Sequence, residues 1–414
     1  MASTHWRKDP AAIGTLLGVA CLLASSAGIL PVAASLLPSP PVSAGPDLTP
    51  AAVPLPAPSD PPALATSGTP SSAPGCNNVA AISSWSLSRR AAQLVTVPAE
   101  ETDVAAVGPA VEAGAGGIVL FGSAAPTDLG AQMRALETAD GAGPAPLVMT
   151  DEEGGGVQRM SNLVGSLPWP ATMSATMTPA AVLQLAEGMA RGMAAAGVTV
   201  DLAPVLDLAS GPGPDATRID GPRSFGPDPQ IATTYGLAFA EGLEAGGVIP
   251  VIKHFPGEGG ATANTDDAPA STPPLATLEA ADLLPFEAAI SAGLPAVMVG
   301  DASVPGLTQG PASLSPAVIT GLLRNQLGFE GLVLTDALSA PAISDLGISV
   351  PGASVEAVAA GADMVLYNST TPNVTFQQVV GALTTAVSDG QVPVMTLNTA
   401  VMQVLAAKGV NLCA

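Results

Sequence analysis

Lys253 and His254 stand side by side in a chain with few residues of either kind. His5 is its only other histidine, and Lys8 and Lys408 are its only other lysines. The pair follows an uncharged run, Val248 to Ile252, and four more apolar runs lead into acids. Asp151 follows Thr150, Asp207 closes the run that begins at Val198, Asp301 follows Gly300, and Asp336 follows Thr335. Strand ends are polar in any fold because they meet water, which would account for one or two of these residues but not for five. With a single histidine outside the first residues, a histidine-rich metal site is not expected. A Ser-His-Asp triad would have no Gly-x-Ser-x-Gly elbow to serve it. Gly154-Gly155-Gly156 lacks the Gly-Lys-Ser/Thr of a phosphate loop. Carboxylates remain, and paired carboxylates are what glycosidic bond hydrolysis requires. No cofactor is expected.

The elements that must position these residues are legible as a rhythm. Short apolar runs at Gly117 to Phe121, Pro146 to Thr150, Val198 to Ala203, Val248 to Ile252, Ala296 to Gly300, Gly331 to Thr335 and Asp363 to Tyr367 alternate with Ala-rich helical stretches. Continuous apolar strands separated by helices read as parallel strands covered on both faces. Seven strands are visible, and an eighth is sought near Ala80 or within the Ala-rich helical sequence. The expected fold is α/β, a single (β/α)8 TIM-type barrel, with an open doubly wound sheet as the alternative. In a barrel all five charged strand ends share one rim, the carboxyl end, where such folds carry their chemistry.

The chain has 414 residues, 48% apolar and 11% charged, enough for a large core. Its 12 Lys and Arg against 34 Asp and Glu leave a net charge of −22, which would repel nucleic acid. The 45 Gly and 42 Pro are partly concentrated at one end. Residues 1–34 carry Arg7 and Lys8 before an uncharged run spanning residues 11–37, the order of a signal peptide or a retained membrane anchor. Cys21 lacks the Leu three places back that favours lipidation. Residues 35–75, rich in Pro, Ala and Ser, form a disordered linker, and 76–414 form the barrel domain. An exported protein meets an oxidising environment, so Cys76 and Cys413, at the two ends of that domain, are expected to pair as a disulfide. The expected location is secreted or held on the outer side of the plasma membrane, in the cell wall.

Several motifs together resemble glycoside hydrolase family 3, and most of all its short, single-barrel β-N-acetylglucosaminidase branch. Asp151-Glu152-Glu153-Gly154-Gly155-Gly156-Val157-Gln158-Arg159 is similar to the family's Asp-Gln-Glu-Gly-Gly-Arg-Val-Gln-Arg. Leu202-Ala203-Pro204-Val205-Leu206-Asp207, Arg223-Ser224-Phe225-Gly226 and Lys253-His254-Phe255-Pro256-Gly257 also match. So does the segment from Pro311-Ala312-Ser313-Leu314-Ser315 through Gly328-Phe329 to Thr335-Asp336-Ala337-Leu338. The resemblance implies Asp336 as nucleophile, and Asp151, Arg159, Arg223, Lys253 and His254 as binders of a carbohydrate containing N-acetylglucosamine, with peptidoglycan fragments as its source. Trp169, Phe225 and Tyr367 are possible stacking faces for one or two sugar rings, though each also suits a core.

The departures fall in one loop. The branch carries an Asp-Ser-His triplet there, whose His is the general acid/base. Counting from Lys253 puts Asn264 at the Asp and Asp266 at the His. Gly156 stands in place of an Arg, and Asp301 where a His is commoner. Asp266, or otherwise Glu258 or Asp267, takes over the acid role, or hydrolysis has been lost and the site binds cell-wall sugars without cleaving them.

Overall fold

In the computed structural model, residues 82–139, 143–211, 215 and 219–411 are described. They fall within one compact unit, Ser71–Ala414. The expected Cys76–Cys413 disulfide, the expected leader and the whole of the expected linker, residues 35–75, lie outside the described residues.

Eight strands close into a parallel barrel. They are β1 (Val95–Glu100), β2 (Gly117–Phe121), β3 (Leu147–Thr150), β6 (Val200–Asp201), β7 (Ile249–Phe255), β8 (Ala296–Val299), β9 (Leu332–Ala337) and β10 (Met364–Leu366), paired in that order and sealed by β1 against β10. A two-stranded antiparallel hairpin, β4 (Glu152–Gly154) and β5 (Val157–Gln158), rises from the end of β3. The eighth strand is β1, downstream of the Ala80 neighbourhood. Pro98 breaks its apolar run, yet a parallel strand accepts Pro where the N–H is not needed, and Pro98 sits opposite Val119. Two strands also run further than their apolar character suggests. β7 extends through Lys253 and His254, and β9 through Asp336 and Ala337.

Continuous apolar sequence conceals a strict alternation. Ala296 and Met298 of β8, Leu332 and Leu334 of β9, Val251 of β7, and Leu147 and Met149 of β3 fill the barrel interior. Val297, Val299, Val333, Ile252 and Val148 pack outward against the helices. The period of two then decides where the next polar residue points. Asp151 continues the inward series of β3, Lys253 that of β7 and Asp336 that of β9, so all three reach the axis at the carboxyl end. Between Ile252 and Phe255 the β7–β8 register shifts, and the alternation no longer separates His254 from Lys253.

The Ala and Gly content serves the outer ring. Helices Pro179–Ala195 and Pro229–Ala245 approach so closely that a Cβ on Gly242 would lie 2.4 Å from the Leu183 carbonyl oxygen. Thr178 and Asp228 cap their N-termini, each ahead of a Pro in the first turn.

Candidate active site

The site is a chain of buried ion pairs at the barrel's carboxyl end. Lys253 Nζ lies 2.8 Å from Asp151 Oδ1 and 2.6 Å from Glu153 Oε1, with Lys253 only 2% exposed. Glu153 also receives two hydrogen bonds from Arg223, Nε to Oε2 and Nη2 to Oε1, both 2.7 Å. Arg159 Nη2 stands 3.4 Å from Asp151 Oδ2, and its guanidinium lies over the Phe121 ring. A bidentate pair between carboxylate and guanidinium is among the stronger interactions available to side chains.

These contacts set the charges. Burial alone would raise the carboxyls of Asp151 and Glu153. Lys253 and Arg159 reverse this for Asp151, and Arg223 and Lys253 for Glu153, so both sit below the usual carboxylate range and stay ionised. Burial alone would lower Lys253, but Asp151 and Glu153 raise it above its ordinary value.

The hairpin holds the acids in place. Glu152 turns away from the axis, accepting the N–H of Arg159 at 2.6 Å and the side-chain amide of Gln158 at 2.9 Å. Gly155 has φ +59°, and a Cβ there would fall 1.9 Å from the Trp169 ring. Trp169 is therefore the lid on the hairpin's glycines, half-buried. Phe225 and Tyr367 are core residues, and the Tyr367 hydroxyl donates to the Pro372 carbonyl. They offer no stacking face.

His254 is held by Asp207. Its Nδ1 is 2.6 Å from Asp207 Oδ2, the same oxygen accepts the His254 backbone N–H at 3.1 Å, and Asp207 Oδ1 accepts the N–H of Glu258 at 2.6 Å. Burial lowers the imidazole to about 4, with Asp336 opposing and Arg223 and Lys253 assisting. It is neutral near pH 7. Burial raises Asp207 to about 6, against the N–H groups of Glu258 and His254.

Asp336 is half-buried, with Oδ1 accepting the N–H of Ala337 at 2.7 Å. Burial raises its carboxyl most, His254 lowers it, Asp266 raises it, and Ala337 and Lys253 lower it further, so these groups share one field. On the neighbouring strand end Asp301 is buried, with Oδ1 accepting the Ser313 hydroxyl, and burial and then Asp336 raise it well above its ordinary value.

The loop after β7 separates the three acid candidates. Glu258 is 1% exposed, its Oε1 accepting the N–H of Ala302 at 2.7 Å, so its carboxyl is turned into the protein. Asp266 and Asp267 are exposed at the loop tip. Asn264 Oδ1 accepts the Asp266 N–H at 3.1 Å, and the Thr265 carbonyl accepts the N–H of Ala342 at 3.1 Å, tying the tip to the segment just after Asp336. Surrounding protein raises the Asp266 carboxyl, while Arg223 lowers it.

The Glycosyl hydrolase family 3 N terminal domain matches residues 86–407. The chain belongs to this family. Within it the chain is β-N-acetylhexosaminidase-like. It is 39% identical over 304 residues to the β-hexosaminidase LpqI of Mycobacterium tuberculosis, covering 71% of this chain and 76% of that one. A family 3 glycosyl hydrolase of Mycobacterium smegmatis superposes with a TM-score of 0.70 at 36% identity, over 78% of this chain and 98% of that one. A β-N-acetylglucosaminidase of a Paenibacillus species gives 0.73 at 29% identity, over 78% of this chain and 62% of that one.

All seven residues expected to touch substrate or do chemistry gather around this rim. Two partners were not anticipated as such. Glu153 joins Lys253 to Arg223, and Asp207 orients His254. Glu153 lies inside the quoted acidic motif, but sequence spacing does not say which of three consecutive acids faces the axis.

Proposed function

We propose that the chain is an exported, retaining glycosidase that removes terminal β-linked N-acetylglucosamine from cell-wall fragments, with Asp336 as nucleophile and Asp266 as general acid/base. The observation that carries this reading is that Asp336, Lys253 and Asp151 share the inward face of the barrel's carboxyl end. Each sugar hydroxyl both donates and accepts, and an alternating arc of Asp151, Lys253, Glu153 and Arg223 suits that. The N-acetylglucosamine preference rests on the names of the relatives, and export on the basic and apolar leader.

In this reading the ionised Asp336 attacks the anomeric carbon, forming a glycosyl ester as the bond to the leaving oxygen breaks. That oxygen takes the proton of Asp266, whose carboxyl the surrounding protein raises. Asp266 then deprotonates a water that attacks the ester, regenerating Asp336 and releasing the sugar with retained configuration.

A chromogenic β-N-acetylglucosaminide tests it, since a good leaving group needs little acid assistance. Asp336→Ala lowers turnover on the order of 10⁴-fold or more. Asp266→Ala slows poor leaving groups, by on the order of 10² to 10⁴, far more than activated ones. Equal losses on both would remove Asp266 from the role. The second reading, a wall-sugar binder without turnover, is favoured by one observation, the absence of a histidine from residues 255–272. Sugar binding with no hydrolysis of even the activated substrate would establish it.

A further inference from the structure

Asp220 is the most conspicuous buried acid outside the arc described above. It is 1% exposed, and neither of its oxygens accepts a hydrogen bond from a described residue. Arg223 Nη1 stands 3.9 Å from its Oδ1, beyond hydrogen-bonding reach, and Arg223 is already committed to Glu153. A buried carboxyl without a partner is costly unless a proton or a cation neutralises it.

The counter-charge has a place to sit. One oxygen of Asp220, one oxygen of Asp207 and one ring nitrogen of His254 lie within 4.8 Å of one another, all three residues buried. We propose that Asp207, Asp220 and His254 form a binding site for a divalent transition metal ion, with zinc as the fitting species. One imidazole and two carboxylates are a ligand set zinc accepts, with water in the fourth position. Two carboxylates and one doubly charged ion leave no net charge, which suits a buried place.

The geometry is close to what a metal needs. Ligands about 2.0–2.2 Å from zinc lie roughly 3.3–3.6 Å from each other in a tetrahedron, so three ligand atoms within 4.8 Å of one another need only small side-chain movements to surround an ion. No described hydrogen bond resists movement of the Asp220 carboxylate. Asp207 already has three of its roughly four acceptor positions filled, by His254 twice and by Glu258. It enters as a preoriented ligand with one position open. With His254 the one histidine outside the first residues, a histidine-rich site is not expected, but this mixed one needs only that residue. On the function proposed above, an imidazole held by zinc is withdrawn from the sugar, so bound zinc inhibits turnover.

The test reads metal binding directly, without substrate, so its outcome stands apart from that of the proposed function. The full chain, stripped with a chelator, is titrated with Zn²⁺ against a chromophoric competitor, and Co²⁺ is substituted as a spectroscopic probe. The expected result is one ion per chain and a Co²⁺ spectrum of nitrogen and oxygen ligands. Asp220→Asn, close in shape, weakens zinc binding by about 10–100-fold or more. Should that variant fail to fold, the wild-type stoichiometry and Co²⁺ spectrum decide. No uptake by the wild type, uptake unaltered in a folded Asp220→Asn, or a thiolate-to-cobalt charge-transfer band pointing to the cysteines overturns the proposal.

Discussion

Lys253 touches two carboxylates and is nearly inaccessible, so removing its charge exposes an imbalance that water does not relieve. Lys253→Met leaves Asp151 and Glu153 without their shared partner, and breaking a buried pair in this way costs about 3–5 kcal/mol. Chemical denaturation of the purified variant measures it, and a loss below about 1 kcal/mol would mean the pairs are solvent-screened. Asp151 and Glu153 have depressed carboxyls, so their contribution is present above the unfolded value near 4 and disappears as pH falls through the lower folded values. Asp220 works in the opposite sense. Its carboxyl is raised to about 8, so the folded state keeps a proton that the unfolded chain gives up near 4. Stability from this group is complete below about pH 4 and lost as pH rises towards 8. In the presence of chelator, Asp220→Asn therefore flattens the decline in melting temperature between pH 4 and pH 8, while an unchanged slope would show that Asp220 titrates normally.

At the level of the element, the β4–β5 hairpin converts a run of three acids into three separate tasks. Asp151 ends the inward series of β3 and faces the axis, Glu152 ties the hairpin to itself, and Glu153 reaches Lys253 and Arg223. This division depends on Gly155, whose positive φ and missing Cβ allow Trp169 to close over the turn. Gly155→Ala strains the backbone and collides with the indole, destabilising the protein by about 1–3 kcal/mol and displacing the acids beside it. A lowered melting temperature together with a raised KM for the chromogenic substrate is the expected pair of readouts. A normal KM would show that the hairpin does not govern the site. The loop after β7 is the converse case, where sequence counting named Asp266 but only the structure shows its tip tied to Ala342, next to the strand of Asp336.

For the whole molecule, the barrel and the helices packed on it run from Leu87–Ala92, whose Ala91 and Ala92 are buried in the same core, to the last helix, Val394–Ala407. Its compact unit begins at Ser71, and the family match begins at residue 86. A chain truncated to start at Ser71 is expected to melt at the same temperature as the full chain and to hydrolyse a soluble substrate at the same rate. A drop in either would assign residues 1–70 a part in folding or catalysis. The interior layer is where the fold is most sensitive to volume. Leu334, fully buried between the strands, loses about 2–5 kcal/mol on change to Ala, read as a shifted denaturation midpoint.

The barrel, seven of its eight strands and the rim where the candidate site lies were legible in the sequence, because period, apolar runs and the residue that ends each run are local properties. The eighth strand escaped because Pro98 reads as a break until its neighbours β2 and β10 are in place. Which partner each charge takes was settled only by closure of the barrel. Glu153 meets Lys253 across 100 positions of chain, Asp207 meets His254 across 47, and Asp220 finds no donor among the described residues. Such pairings are not encoded in spacing, since they arise when strands distant along the chain converge on one axis in a place water cannot reach to neutralise them.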